Sequence, residues 1–489
     1  MPLSPKLGAE AIAANMAELH PPLTDQQALA EANRCLYCFD APCIKACPTG
    51  IDVPSFIRKI ASGNLTGSAR TIFSANILGS SCARVCPTSV LCEGACVLLD
   101  RDAGPIQIGL LQRFATDHFL AHPRSLLRTA EAASGRRVAV IGGGPAGLGC
   151  AAELAQLGHK VVVFEKRPQA GGLNTYGIAY YKMKPEVSLA EVELVRSLGV
   201  DIRYNTEVGR DLSTEDLFRD FDAIFLGLGL GGGARLGIPG EDLPGVVDAV
   251  DFISRIHTQP LHEVPIGERV VVIGCGNTSI DAVTQARRLG ARSVIGIYRR
   301  EESDMPAYDF EYQLAKKDGV QFLFKTAALE VLPGEDGQVK ALRLANTTVS
   351  PEGRVEVVPG TEFIRPVDML IRAVGQEKLV GPIRRLFPEL ELDDHGRVRY
   401  DFATGQTNLP KVFAGGDCAN GGREVVNAVA EGKRAARGIH AALSGQKVAG
   451  PVQPSRLGVA GLPVGSGFDQ PVRVPERQSA RKGKTEKHG

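Results

Sequence analysis

Eight of the 11 cysteines fall between Cys35 and Cys96, and their spacing is the strongest chemical signal in the chain. One group reads Cys35-x2-Cys38-x4-Cys43-x3-Cys47-Pro48; the other reads Cys82-x3-Cys86-Pro87, followed by Cys92-x3-Cys96. A [4Fe–4S] cluster takes four ligands, usually thiolates, and closely spaced cysteines wrap one face while a distant residue closes the other. In bacterial ferredoxin runs the Cys before Pro serves the second cluster, so the two groups are expected to interleave their ligands. Zinc knuckles favour paired C-x2-C spacings, and only Cys35–Cys38 has that form. Cys150, Cys275 and Cys418 each stand beside a glycine turn, without C-x-x-C spacing or a nearby His, and read as buried small-residue packing.

Two glycine-rich turns carry the second signal. SGRRVAVIGGGPAGLGCAAELAQLGHKVVVFEK reads as strand, turn, helix and strand, with Gly142-x-Gly144-x-x-Gly147 in the turn. The first two glycines allow a tight turn and close approach of a pyrophosphate, and the third lets helix pack on strand. Glu165 ends the next strand, where a carboxylate can bind ribose hydroxyls. Val412–Asp417 reads as a buried strand ending in Gly416-Asp417, where the acid either meets a flavin ribityl chain or merely caps the following helix. The second turn, Gly274-Cys275-Gly276-Asn277-Thr278-Ser279, places Ser279 where the third glycine is expected, implying a slightly wider helix–strand contact. Arg299-Arg300 end its next strand in place of an acid, which favours a 2′-phosphate, unless Glu301-Glu302 simply balance a solvated pair. No HExxH, G-x-S-x-G or triad pattern is present, so cofactors rather than side chains should carry the chemistry.

Positioning these residues takes several domains, and 489 residues at 44% hydrophobic can bury more than one core. Residues 1–130 read as a helical domain with Cys-bearing loops, including a helix capped at Thr24-Asp25 and another in PIQIGLLQRFATDHFLAH. Residues 136–260 and 390–445 are expected to form one discontinuous dinucleotide-binding domain, with a second inserted at 261–389. Phe322–Val358 alternates like antiparallel strands with turns at 333–337, and 446–489 reads as a disordered basic tail. The fold class is therefore α/β: a helical N-terminal iron–sulfur domain followed by two nested Rossmann-type domains. A formal charge of +1 gives no electrostatic case for nucleic acid or a membrane surface. No apolar run approaches the ~20 residues that span a bilayer, and no secretory signal opens the chain, so a soluble, cytoplasmic protein is expected. A dense cysteine group in that compartment points to metal rather than disulfides.

Over residues 20–442 this order of motifs resembles the flavoprotein electron-entry module shared by glutamate synthase small subunits and dihydropyrimidine dehydrogenases. CPTGIDVPSFIRKIASGN, FSANILGSSCARVCPTSVLCEGAC and GPIQIGLLQRFATDHF are more similar to the dehydrogenases, as is the Cys86-x5-Cys92 spacing. The resemblance implies one [4Fe–4S] cluster on Cys35, Cys38, Cys43 and Cys96 and another on Cys47, Cys86, Cys92 and Gln112. It leaves out Cys82, which spacing alone would choose. It implies FAD at Gly142, Gly144, Pro145, Ala146, Gly147, Glu165, Lys166, Gly172, Leu173, Lys182, Val208, Gly416 and Asp417, with Lys182 replacing a usual arginine. It implies NAD(P)H at Gly274, Cys275, Gly276, Asn277, Thr278, Arg299, Arg300, Ala373, Val374 and Gly375. A further arginine of NADPH-using relatives is missing from EESDMP, so NADH is expected to serve at least as well as NADPH. The chain thus resembles the electron-input subunit of a bacterial dihydropyrimidine dehydrogenase, whose FMN- and iron–sulfur-containing partner reduces uracil or thymine. The alternatives are the small subunit of glutamate synthase or another NAD(P)H:ferredoxin-type reductase, and a non-catalytic assembly subunit that keeps the fold.

Overall fold

A computed structural model describes residues 7–445, apart from 122–125, 128 and 131. The basic tail expected from 446 lies outside the described residues. Up to Ala121 the chain is built of helices and loops. Thr24 caps helix Asp25–Asn33 through a reciprocal box in which Gln27 N–H donates to Thr24 Oγ1 and Gln27 Oε1 accepts from the Thr24 N–H. Helix Val53–Ala61 turns Phe56, Ile57 and Ile60 onto Ala28, Ala32, Ile72, Leu111 and Ala115, and Cys35, Cys43, Cys47, Cys92 and Cys96 pack against this small core. Helix Pro42–Lys45 carries Cys43, helix Gly79–Val85 ends at Cys86, and helix Ile108–Ala121 carries Gln112.

The rest is α/β, as the sequence implied. The strands are β1 (Arg137–Ile141), β2 (Lys160–Phe164), β3 (Asp201–Arg203), β4 (Ala223–Leu226), β5 (Val246–Asp248), β6 (Arg269–Ile273), β7 (Ser293–Ile297), β8 (Gln321–Leu323), β9 (Thr326–Pro333), β10 (Val339–Val349), β11 (Val355–Val357), β12 (Phe363–Pro366), β13 (Met369–Arg372) and β14 (Val412–Ala414). Two five-stranded parallel sheets run β14-β4-β1-β2-β3 and β5-β13-β6-β7-β8. Their Val/Ile runs suit strands covered on both faces. Between β8 and β13 lie the expected antiparallel strands, β9, β11 and β12 each pairing with β10.

The second unit begins and ends earlier than expected. β5 pairs with β13, and helix Ala249–Thr258 puts Phe252, Ile253 and Ile256 into the second sheet's core, so the unit starts near Val246 rather than at 261. At its far end, helix Val380–Leu386 sends Ile383 into the core beneath the first sheet, so residues up to 389 do not all belong to the insert. An amphipathic helix shows an apolar face but not which sheet that face will cover.

Buried polar contacts tie the helical domain to the first sheet's unit. Glu191, on helix Pro185–Arg196, accepts from Ser80 N–H at 2.6 Å, from Ser81 N–H at 3.1 Å and from the Ser81 hydroxyl, capping helix Gly79–Val85. Burial lifts its carboxyl to about 7 against the pull of these bonds. Lys433 donates to the carbonyls of Ser74 (3.1 Å) and Ala75 (2.6 Å). Its helix, Val425–Ser444, lies against helix Pro145–Gln156 so closely that a Cβ on Gly432 would come within 2.1 Å of Ala146 O. Among the described residues no helix is long and apolar enough to cross a membrane.

Candidate functional site

The first glycine turn opens a cleft beyond the carboxyl ends of the first sheet's strands, where open α/β sheets bind ligands. Gly142 takes φ +99°, and a Cβ there would lie 2.4 Å from Gly227 O; at Gly147 it would lie 1.9 Å from Gly142 O. Neither position accommodates a side chain. The cleft has a volume of about 740 Å³. All the residues expected to hold flavin line it except Gly147, which lies beneath the turn, and Lys182. Glu165 accepts from Gly143 N–H and Arg167 N–H, both at 2.8 Å, so the acid that borders the ribose position also holds the turn. Arg167, Arg210, Arg385 and Arg423 add cations to the lining, and helix Pro145–Gln156 begins at it, which together suit a pyrophosphate.

Two further residues, one supporting this cleft and one lining it, carry little mark in the sequence. Glu431 accepts from Gly416 N–H at 2.8 Å and Asn420 Nδ2 at 2.9 Å, fixing the corner that presents Asp417. Its only signal was an acid on the apolar face of a helix. Burial raises the Asp417 carboxyl above its ordinary range. Asn174 lines the cleft with both Nδ2 and Oδ1 buried and without a partner. Nothing in its local sequence marks it. An open glycine turn, a ribose-side carboxylate, cations and an unpartnered amide make this cleft fit a flavin dinucleotide.

Lys182 is elsewhere. Its ammonium lies 2.6 Å from Asp281 Oδ1 and 2.6 Å from Glu311 Oε1, bridging the first unit to the second. Burial alone would depress its pKa, but Asp281, Tyr181 and Glu311 hold it above the ordinary lysine value. Burial lifts Glu311 to about 6 despite Lys182.

The second turn repeats the first with one change. Gly274 takes φ +122°, and a Cβ there would meet Ala373 O at 2.2 Å, which brings Ala373-Val374-Gly375 to the turn; a Cβ on Gly276 would meet nothing within 4 Å. Helix Asn277–Arg288 starts there, so its amide end is open to a phosphate. Ser279 is fully buried and its hydroxyl donates to Gly274 O at 2.5 Å, closing the turn with a hydrogen bond. The Cys275 thiol, pushed up to about 12 by burial, is unreactive packing. Arg299 and Arg300 follow β7, and among the described residues neither forms an ion pair. Glu301 pairs instead with Lys325 at 2.5 Å, and Glu302 accepts from the Tyr312 hydroxyl at 2.8 Å, so the alternative of a balanced run within Arg299–Glu302 does not form.

The cysteines gather as two neighbourhoods. Cys35 and Cys43 lie within electrostatic reach of Cys38 and Cys96; Cys86 and Cys92 lie within reach of Cys47. Burial pushes Cys43 up to about 12 and raises Cys35 and Cys92, while Cys86 is raised first by its hydrogen bond with Cys82. Thiols this resistant to ionisation need a bound cation to become thiolates, which iron supplies. Among the described residues no three His, Cys, Asp or Glu side chains converge as a single ion requires. Four irons spread their thiolates further apart than one ion does. Cys82 is buried, with Asn76 Nδ2 donating to its sulfur at 3.2 Å. Gln112 is buried, and its Nε2 donates to Gly79 O at 2.6 Å.

Comparison with known proteins gives the same division. Residues 12–123 match the family described as dihydropyrimidine dehydrogenase domain II, 4Fe-4S cluster, and residues 136–432 match pyridine nucleotide-disulphide oxidoreductase. The glutamate synthase [NADPH] small chain of Halomonas elongata is 38% identical over 452 residues, covering 89% of this chain and 94% of that one. The chain belongs to the glutamate synthase small-subunit-like family. The NAD-dependent dihydropyrimidine dehydrogenase subunit PreT of Escherichia coli is 35% identical over 430 residues, covering 88% of this chain and 97% of that one. Mycobacterium tuberculosis FprA, solved with NADPH, shares the fold of the nucleotide-binding part, with a TM-score of 0.52 at 21% identity over 63% of this chain and 85% of that one. As a member of this family the chain is an electron-transfer subunit with an iron–sulfur domain and a flavin- and NAD(P)H-binding oxidoreductase part.

The placement of Lys182 yields a prediction. Lys182→Met leaves two acids buried without their cation and should destabilise the chain by about 3–5 kcal/mol. A carboxyl whose folded pKa is raised loses stability as pH rises through that value, so the deficit should be larger at pH 8 than at pH 6. Thermal midpoints at both pH values check this; weaker flavin retention with unchanged midpoints would return Lys182 to the flavin.

Proposed function

We propose that the chain is the electron-input subunit of a dihydropyrimidine dehydrogenase, oxidising NAD(P)H on behalf of an FMN- and iron–sulfur-containing partner that reduces uracil or thymine to the 5,6-dihydro forms. The observation that carries the reading is the single cleft that gathers the flavin-fitting residues, in a unit fastened to a cysteine-bearing domain by Glu191 and Lys433. The pyrimidine half is supported by the cysteine-domain stretches that resemble the dehydrogenases and by likeness to PreT over nearly all its length. A second reading, the small subunit of glutamate synthase, is favoured by 38% identity to the Halomonas chain. The two share their input half and differ in the partner. Either works in the cytoplasm, where thiols stay reduced.

When bound, FAD supplies hydride acceptance from NAD(P)H, and two [4Fe–4S] clusters supply one-electron transfer. Gly142, Gly144, Pro145 and Ala146 seat the flavin's pyrophosphate, Glu165 its ribose, and Gly416-Asp417 its ribityl chain. Gly276, Asn277 and Thr278 seat the nicotinamide nucleotide at the start of their helix. Cys35, Cys38, Cys43 and Cys96 hold one cluster; Cys47, Cys86, Cys92 and Gln112 hold the other. Because Gln112 Nε2 is committed to Gly79 O, its amide oxygen is the atom left for iron.

Three outcomes follow. The purified chain should oxidise NAD(P)H with artificial acceptors yet reduce uracil only with its FMN-bearing partner; uracil-dependent oxidation by the chain alone would sink the reading. A partner-restored activity towards 2-oxoglutarate and glutamine instead would move the chain to the second reading. Gln112→Leu should lower iron per flavin, whereas Cys82→Ser leaves it near wild type; the opposite pattern makes Cys82 the ligand. Finally, without the further arginine that NADPH-using relatives carry, Arg299 and Arg300 form only a partial phosphate clamp, so NADH should serve at least as well as NADPH. Measured kcat/KM at fixed ionic strength decides it: a hundredfold NADPH preference, about 2.7 kcal/mol, would show that Arg299 and Arg300 suffice.

A further inference from the structure

We propose that Asn174 recognises the flavin ring itself, its side-chain amide meeting the polar edge of the isoalloxazine with one donor and one acceptor. This rests on the reading that FAD occupies the cleft beside Gly142 and Gly416.

The argument starts from an unmet hydrogen-bonding demand. Asn174 is 0% exposed, yet neither Nδ2 nor Oδ1 has a partner. Its neighbours on the same short helix, Leu173–Tyr176, do not share this condition. The Thr175 hydroxyl donates to Ala170 O at 2.7 Å and lies 2.9 Å from the Ser188 hydroxyl, and the Tyr176 hydroxyl donates to Gln169 O. A buried amide with nothing to bond is costly, and an apolar residue of the same size would fill the space without that cost. A purely structural role therefore gives no reason for asparagine here.

Position supplies the reason. Asn174 lines the cleft directly after Gly172 and Leu173, and a Cβ on Gly172 would come within 2.8 Å of the Gly144 Cα, so this segment crosses the pyrophosphate turn. Gly416 and Asp417 line the same cleft, and a Cβ on Gly416 would lie 2.7 Å from the Ala146 Cβ, at the start of the helix that follows the turn. A carboxamide offers two N–H donors and a carbonyl acceptor, side by side. The flavin ring presents a matching pair, a ring carbonyl next to a ring N–H. Phosphate and ribityl hydroxyls do not offer that alternation in one plane. The adenine end of FAD does, but it belongs with Glu165.

The test is binding of FAD to the full-length chain after flavin removal, followed by flavin fluorescence and absorption, together with the melting temperature of the flavin-free protein. Wild type must first rebind FAD; failure there removes the reading of the cleft rather than this assignment. Asn174→Leu should melt higher than wild type without flavin, because the unpaired amide is gone, yet bind FAD at least tenfold more weakly and with a shifted absorption band. Asn174→Asp keeps the shape and the acceptor but loses the donors, and should weaken FAD binding without raising the flavin-free melting temperature; this variant decides the matter if the Leu protein does not fold. Unchanged FAD affinity in either variant overturns the proposal. So does weaker binding with an unaltered absorption band, which would place the amide on adenine.

Discussion

Lys182 lies between two carboxylates, 2.6 Å from each, with only 13% of its side chain reaching solvent. An ammonium taken that far out of water is tolerable only if its counter-charges stay in place. One of them comes from the helix after the second glycine turn and the other from the helix that follows, whereas Lys182 belongs to the unit with the first turn. The cluster thereby sets how the two nucleotide-binding units face each other. Glu191 does the same for the helical domain, since its carboxylate must keep the amides of Ser80 and Ser81 to remain buried. Cofactors exchange electrons only across short distances, so a chain of three units needs fixed joints, and here those joints are buried charges rather than broad apolar contacts alone.

Within each unit a different constraint operates. The backbone must approach an anionic group with no side chain between them. At Gly142 and Gly274 the positive φ and the carbonyl at 2.4 and 2.2 Å from a hypothetical Cβ make glycine obligatory. At the third position the two turns diverge. Gly147 has its helix pressed against Gly142 O, and a Cβ could not be inserted. Ser279 at the equivalent place donates its hydroxyl to the corresponding carbonyl, Gly274 O, so the second turn closes by a hydrogen bond where the first closes by contact.

These constraints explain what was legible in the sequence. A glycine that cannot be replaced leaves a spacing, and a thiolate ligand leaves a cysteine, so both nucleotide turns and the cysteine domain could be read directly. The capped helix at Thr24 and the antiparallel strands after Phe322 were legible because capping and alternation are local. What could not be read depends on partners distant in the chain. Helix Ala249–Thr258 has a clear apolar face, but only β13, more than a hundred residues later, decides which sheet it joins. Lys182 stands where a flavin contact was expected, and only Asp281 and Glu311 reveal its bridging role. Glu431 and Asn174 are single polar letters among apolar ones, informative only once the cleft around them is known.

The arrangement also gives the two cysteine neighbourhoods different places. Lys433, on the helix packed against the first glycine turn's helix, lies within electrostatic reach of Cys47. Tyr308 lies within reach of Cys86 while its backbone N–H donates to Asn277 Oδ1 at 3.1 Å and its hydroxyl to Glu424 at 2.7 Å. One residue thus touches the second nucleotide turn and the start of the helix beside the cleft, and borders a cysteine. The group containing Cys47 and Cys86 faces the nucleotide-binding units, and the group containing Cys35 and Cys38 lies beyond it, joined to it through Cys43 and Cys92. Under the proposed relay that order is inner and outer. The outer loops hold Leu36 and Phe39, 62% and 74% exposed, while Cys82, beside Cys86 in the inner group, is buried. Electrons leaving the nucleotide-binding units would therefore meet the group that faces those units first and the exposed loops last, which is the direction an input subunit requires.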